Sequence, residues 1–405
     1  MKKILFILCT PILLFAQNNT HQIKWNSNLT FESSTLNKSF LNTMLYGGYI
    51  TDSMKTNWIN AGGSSNVLYS ELSNELSYIY TFNKQNIGFS FADRNILNAS
   101  FTDDLLRLVF EGNFHHQGKT LDFGGTSIRA DRFQQYKLNY GYKNINIGLS
   151  YLAGNHHLSY IIDKGTFYTS TLGNEIDIAY NINAFVTDTS NLAVFANNGN
   201  GLAIDFNTNF KIDKYKVDLS LTDLGFIMWN NSSITLATDS NFNFKGIEIE
   251  DPLNFNDSIL ELETPSTDDF KTNNSSFKSY IPATLHIAVS GESKHEYFKT
   301  YKIGFIAKWQ PYQDNTQLSF AKIEQGFKES NYSPLFYLSS SVITKYGAVL
   351  PNISYGGYTK DFNIGLAYSI GKKVNFTLGT QHLEDLVRKN KATALSVYLT
   401  LSTQF

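Results

Sequence analysis

Apolar residues in this chain fall on alternate positions, run after run, with polar residues between them. Leu76, Tyr78, Tyr80 and Phe82 share one face; Glu75, Ser77 and Thr81 take the other. Tyr136, Leu138, Tyr140 and Tyr142 alternate with Lys137, Asn139 and Gly141, and Ile145, Ile147, Leu149 and Tyr151 follow after a short turn at Lys143-Asn144. The same period of two recurs at Ile176–Ile182, Leu202–Phe210, Tyr215–Leu221, Leu285–Val289, Tyr301–Trp309 and Phe362–Ile370. It closes the chain with Leu395, Val397, Leu399, Leu401, Thr403 and Phe405. Period two is the signature of a strand with one apolar face. Proline is nearly absent from the runs, as a continuous ladder requires. A soluble sandwich would alternate too, but Asp, Asn and Lys recur on the polar faces and the last strand ends on an aromatic. The pattern predicts an all-β fold: a transmembrane antiparallel β-barrel of about 14 strands, within a range of 12–16, with a short helical insertion.

Two stretches break the alternation. Residues 92–133 contain a predicted helix: Thr102 caps it, Asp103 and Asp104 face its dipole in the first turn, and Gly112 ends it. Residues 225–281 are rich in Asn, Ser, Asp and Glu and read as a long extracellular loop. Residues 17–70 read as an irregular amino-terminal segment and a candidate lumen plug, leaving 71–405 as the barrel with insertions at 92–133 and 225–281.

The amino terminus sharpens the location. Lys2 and Lys3 precede an apolar run, and Ala16 offers a small residue for cleavage, so residues 1–16 read as a secretory signal peptide. The run is shorter than the ~20 residues of a spanning helix. Cys9, the only cysteine, lies inside it, so the exported chain has no disulfide and no thiolate metal site. Removing 16 of 405 residues leaves 389; losing Lys2 and Lys3 leaves 31 basic against 35 acidic residues, a net charge of −4. That balance argues against nucleic-acid binding. With 31 Phe and 24 Tyr the chain is 15% aromatic, which suits the aromatic belts of a membrane barrel.

Several short segments carry a resemblance. They are Phe89-Ser90-Phe91-Ala92-Asp93-Arg94, then Phe101-Thr102-Asp103-Asp104-Leu105-Leu106 with Phe110-Glu111-Gly112-Asn113, then Tyr151-Leu152-Ala153-Gly154, and Asp223-Leu224-Gly225-Phe226 with Trp229. In these the chain resembles an uncharacterised family of outer-membrane barrels from Bacteroidota. At superfamily level that family is similar to fatty-acid-channel (FadL-like) barrels and to barrels associated with type IX secretion (the PorV and PorP/SprF types). The resemblance implies the outer membrane, reached by signal-dependent export, and carries over no catalytic or binding residue.

Candidate chemistry is sparse. His115-His116 and His156-His157 have the wrong spacing for a shared metal, since strand neighbours face opposite ways, and read as solvated loop histidines. His286 and Ser290 share a face but stand ~13 Å apart along a strand, too far for a nucleophile and its base. Asp223 and Trp229 read as a strand end and an interfacial anchor. Glu248, Glu250 and Asp251 read as a solvated acidic loop. Asp52-Ser53-Met54 and Asp257-Ser258-Ile259 match a short O-glycosylation pattern of Bacteroidota. The charged set Asp93, Arg94, Asp103, Asp104, Arg107 and Glu111 is the candidate lining of a lumen or gate. Phe405, Leu401 and Leu399 are the candidate assembly signal.

The expected function is a non-enzymatic conduit or binding pocket for a small hydrophobic solute, without cofactor or metal. The alternatives are a scaffold or accessory of protein secretion or surface display and, more distantly, a surface lipid hydrolase. Expected partners are outer-membrane lipid and lipopolysaccharide, the barrel-assembly machinery acting on the last strand, and secretion or surface proteins.

Overall fold

The computed structural model describes residues 19–188, 190–191, 193–245, 271–310, 330–386 and 392–405. The signal segment, the acidic cluster near Glu248 and the Asp257-Ser258-Ile259 motif lie outside them. In chain order the elements are β1 (Thr20–Asn37), α1 (Lys38–Tyr46), α2 (Asp52–Ala61), β2 (Asn66–Phe82), β3 (Gln85–Phe101), α3 (Asp103–Glu111), β4 (Thr120–Asp122), β5 (Thr126–Tyr142), β6 (Ile145–Thr169) and β7 (Ile176–Val186). They continue with β8 (Gly199–Ile212), β9 (Tyr215–Trp229), β10 (Ile234–Phe244), β11 (Lys271–Asn274), β12 (Lys278–Tyr280), β13 (Ala283–Glu292), β14 (Phe298–Trp309), β15 (Ser333–Thr344), β16 (Gly347–Gly357), β17 (Asp361–Ile370), β18 (Val374–Thr380) and β19 (Ala392–Gln404).

Fourteen strands form the wall: β1, β2, β3, β5, β6, β8, β9 and β13 to β19, each antiparallel to its neighbours. β19 returns to β1, with Gln22 opposite Gln404 and Phe31 opposite Leu395, so the sheet closes. Closure is what lipid demands, because hydrocarbon cannot satisfy a free strand edge. Alternation then sorts the side chains. Leu76 is 53% and Leu138 57% exposed on the outer wall, while Ser150 and Ser396 are buried inside.

The two ends differ. One carries the start of β1 at Thr20, the carboxyl-terminal Phe405 and six short turns. Asn83, Lys143 and Asp213 take left-handed backbone there (φ 53, 54 and 52°), as two-residue hairpins require. At the other end the wall strands are farther apart in sequence, as where β9 ends at Trp229 and β13 begins at Ala283. β12 extends the β13 stave upward against β9. The upper half of β6 leaves the wall to pair with β7, which pairs with β10 and then β11, raising a small sheet beyond the barrel.

Within the expected irregular segment 17–70, the described residues 19–70 do not form a lumen plug. β1 is a full wall strand: Ile23, Trp25, Leu29 and Phe31 face outward, and the Asn and Thr residues between them face the lumen. α1 and α2 follow at the rim. With Phe110 of α3 they pack Phe40, Leu41 and Trp58 against Phe31 and Leu68 on the outer side of the wall. α3 has the predicted bounds and caps. The Thr102 hydroxyl accepts from the Leu105 amide at 3.2 Å and donates to the Asp122 carbonyl at 2.8 Å.

Candidate functional site: the lumen

Strand alternation sends Glu71 of β2, Arg94 of β3, Lys137 of β5, Asp205 of β8 and Asp223 of β9 into one layer across the lumen. Arg94 is its hub. Its Nε and Nη2 donate to Glu71 Oε1 at 3.2 and 2.8 Å, and Nη1 donates to Asp223 Oδ2 at 2.9 Å. Tyr69 donates to the other Glu71 oxygen at 2.6 Å. Gln135 donates to Asp223 at 2.8 Å, and Lys137 pairs with Asp205 and with Asp223 at 3.4 Å. Asp223 occupies a bulge between β8 and β9 with φ at 60°, and its amide donates to Asp205 at 2.7 Å. The bulge turns this carboxylate into the charge layer. Asp223 is thus a lumen residue, not a strand end.

Above the ions, away from the short-turn end, the lumen is apolar. Phe133, Leu152, Ile227, Trp229, Phe277 and Ile281 are almost wholly buried against one another. Trp229 is therefore a core residue and not an interfacial anchor; its indole donates to Ser279 at 2.8 Å. It lies so close to the β6 backbone that a Cβ at Gly154 would sit 2.6 Å from the ring. Polar ties cross this layer. Arg129 donates to the Tyr280 carbonyl at 2.6 Å, and Asn98 donates to Gln310 at 3.1 Å. Gln310 follows β14, six staves from β3 in a ring of fourteen, so the second tie joins nearly opposite walls.

The expectation of solvated histidines fails for two of the four. His157 is fully buried, with Nδ1 2.7 Å from Asp131 and its ring against Trp229 and Phe277. His116 is buried beside Glu111 at 2.7 Å. His156 faces outward, opposite to His157, as alternation requires. His286 bonds the Tyr337 hydroxyl at 2.7 Å, while Ser290 turns to the Lys216 carbonyl. Among the described residues no group of His, Cys, Asp and Glu is arranged to hold a metal ion.

The gate candidates do not assemble. Arg94 alone enters the lumen. Asp93 faces the other way and accepts from Gln134 at 2.8 Å. Asp103 accepts from Asn66 at 2.9 Å and Asp104 from the Asp122 amide at 2.9 Å. Arg107 and Glu111 lie on α3 at the outer rim. Phe405 sits at the seam, its ring 5.4 Å from that of His21.

Beside the filled core a cavity of about 220 Å³ survives, walled by β1, β2, β14, β16 and the loops above them. Three tyrosine rings face the Lys308 ammonium inside it: Tyr69 at 4.8 Å, Tyr358 at 5.0 Å and Tyr332 at 5.2 Å. No carboxylate among the described residues lies within ion-pair distance of that ammonium. His382 closes one side, 3.0 Å from Glu32 and 3.6 Å from Glu384. Burial alone would lower the His382 pKa, but its hydrogen bonds to the two carboxylates win and push it up to about 9.

The fold and its interior define a transmembrane β-barrel whose lumen is crossed by a charge layer and an apolar core, with the 220 Å³ cavity beside them and a wider polar space of about 450 Å³ at the short-turn end, bordered by Asn207, Asp218, His286 and Lys302. The chain belongs to a family of unknown function (DUF5723), whose model matches residues 16–381. No curated protein matches its sequence. Among solved structures it is similar to a deletion mutant of the monoaromatic hydrocarbon channel TodX, at 9% identity over 95% of this chain and 90% of that one, with a TM-score of 0.41. The Pseudomonas putida (P. putida) toluene transporter TodX matches at 8% identity, 96% and 91% coverage and a TM-score of 0.39. The Ralstonia pickettii toluene transporter TbuX matches at 10%, with 95% and 88% coverage and a TM-score of 0.37.

Proposed function

We propose that this protein is an outer-membrane barrel that binds a small, mainly apolar solute inside its lumen and passes it through. The cavity around Lys308 carries the reading. Its volume falls below the ~300–1,000 Å³ of pockets for drug-sized ligands, so the occupant is small. Tyrosine rings supply flat apolar contact. Lys308 gives the solute's polar end a cation over which oxygen lone pairs can settle, and cation–π contact with the rings holds that ammonium in place. Passage requires the ties across the lumen to part, which makes this a gated carrier of one solute class and not a general pore.

Calorimetric titration of the purified barrel with toluene and with benzoate tests the reading. Saturable binding of at least one probe is expected, weakened about tenfold or more by Tyr332→Ala, with Lys308→Met selectively weakening benzoate. If neither probe binds, the pocket reading fails.

The filled core also suits a scaffold for secretion or surface-display proteins, and the sheet of β7, β10 and β11 beyond the rim offers such partners a surface. A barrel that binds neither probe yet recovers one stoichiometric protein partner on cross-linking in cells would favour this second reading.

A further inference from the structure

On the outer wall of β2, β3, β5 and β6 the rule that lipid-facing positions are apolar breaks and then resumes. The register sets Leu76, Phe91, Tyr136 and Tyr151 side by side facing outward. Two residues further along each strand the same face carries Asn74, Asp93 and Gln134, and two further Leu72, Asn95, Arg132 and His156. Beyond these come Ser70, Leu97, Ala130 and Leu158, then Leu68, Ala99, Ile128 and Tyr160, mainly apolar again. The polar residues therefore form an island within an apolar wall and not a rim above it.

Arg132 is the exposed weakness of this island. Its Nη2 approaches Asp93 no closer than 3.6 Å, and its Nε is buried without a hydrogen-bond partner. Asp93 is already satisfied elsewhere, by Gln134 at 2.8 Å and Asn95 at 3.4 Å. A guanidinium on the outer wall is costly wherever lipid tails cover it, and donors left unspent in an apolar setting add to that cost. A recess of about 460 Å³ opens at this spot, lined mostly by apolar groups: Leu72, Leu97, Leu158 and Val186 surround Asn95 and Arg132.

We propose that this recess holds a phospholipid from the surrounding leaflet, with its phosphate on Arg132 and an acyl chain along Leu72, Leu97 and Leu158. The phosphate oxygens match the fork of the guanidinium at its terminal nitrogens, which make no hydrogen bond to the described residues. Asn95 offers a further donor beside the headgroup. The hydrocarbon chain covers the leucines that flank the charge on both sides along the strands. The site lies on the opposite side of the wall from the lumen cavity and stands or falls independently of it.

Native mass spectrometry of the detergent-purified barrel provides the test, with dioleoylphosphatidylglycerol and dioleoylglycerol as probes of equal chains and different heads. The wild-type barrel is expected to retain one phosphatidylglycerol, and dioleoylglycerol at least tenfold more weakly. Arg132→Gln should lower phosphatidylglycerol retention about tenfold or more and leave the weak dioleoylglycerol signal unchanged. Leu158→Trp, which fills the recess and keeps the arginine, should remove the adduct as well; it carries the test if Arg132→Gln does not give the heat-modifiable folded form. Equal retention of the two lipids by the wild type, or undiminished phosphatidylglycerol retention in the folded variants, overturns the proposal.

Discussion

Arg94 holds two carboxylates in a space without other cations in contact with Glu71. Removing one partner of a buried pair leaves uncompensated charge, which costs ~3–5 kcal/mol. Arg94→Ala should therefore lower the temperature at which the folded barrel loses its fast gel mobility, and Glu71→Gln in the same chain should recover part of the loss. His382 gives a second residue-scale prediction. Its folded pKa of about 9 lies above the ordinary imidazole value of ~6.5. The contribution of its pairs with Glu32 and Glu384 is thus complete below pH ~6.5 and disappears as pH rises through 9. Melting between pH 7 and 10 should show a loss of about 1–3 kcal/mol, discounted for partial solvent access, and His382→Gln should flatten the profile. At this scale sequence showed which face a residue takes but not what it meets. Arg94 stood out within a charged motif, yet its partner Asp223 lies 129 positions away. No local signal distinguishes that carboxylate from a strand terminus. His157 was hidden for the same reason: the Asp131 that buries it comes from the neighbouring strand.

Elements built on local rules were the most legible. α3 was readable because its cap, acidic first turn and terminating glycine are all neighbours in sequence. Thr102→Ala removes both bonds of the capping hydroxyl and should cost ~0.5–2 kcal/mol locally. Faster amide exchange across 103–111, with the wall strands unchanged, is the expected readout. β1 was less legible, because Ser27 interrupts its apolar face and its lumen face of Asn and Thr has the composition of a loop. Only pairing with β2 and β19 makes it a strand. The last strand was clear from its alternation, and its proposed role in assembly remains a prediction: deleting Phe405 should leave the chain exported but should lower the heat-modifiable fraction several-fold in membrane preparations. A normal folded fraction would remove the assembly role and leave Phe405 as a partner of His21 only.

The whole molecule was legible in outline. Fourteen strands, closure and the asymmetry of the two ends follow from period two and the lengths of the breaks. The filled interior did not follow, because Asn, Arg, Asp and Lys on an inward face look the same in sequence whether they meet water or one another. The ties from Asn98 and Arg129 across the apolar layer predict that the barrel conducts poorly. Planar-bilayer recordings should show no steady porin-like conductance for the wild type, and the double substitution of Asn98 and Arg129 by Ala should produce openings. Sustained large conductance from the wild type would contradict the filled lumen.

The seam has a kinetic meaning. Asn26 and Thr400 meet across it although 374 positions separate them. Every other neighbouring pair of staves is joined by a single connection, so those pairs can zip as the chain is delivered. The seam alone must wait for the last residues, and until then β1 and the growing edge each present an unsatisfied ladder. The entropy of bringing such distant ends together grows only slowly with separation, so the obstacle is time spent open and not final stability. For that interval the chain depends on whatever covers its two edges, and a fault in β1 should stall the process as effectively as a fault in β19.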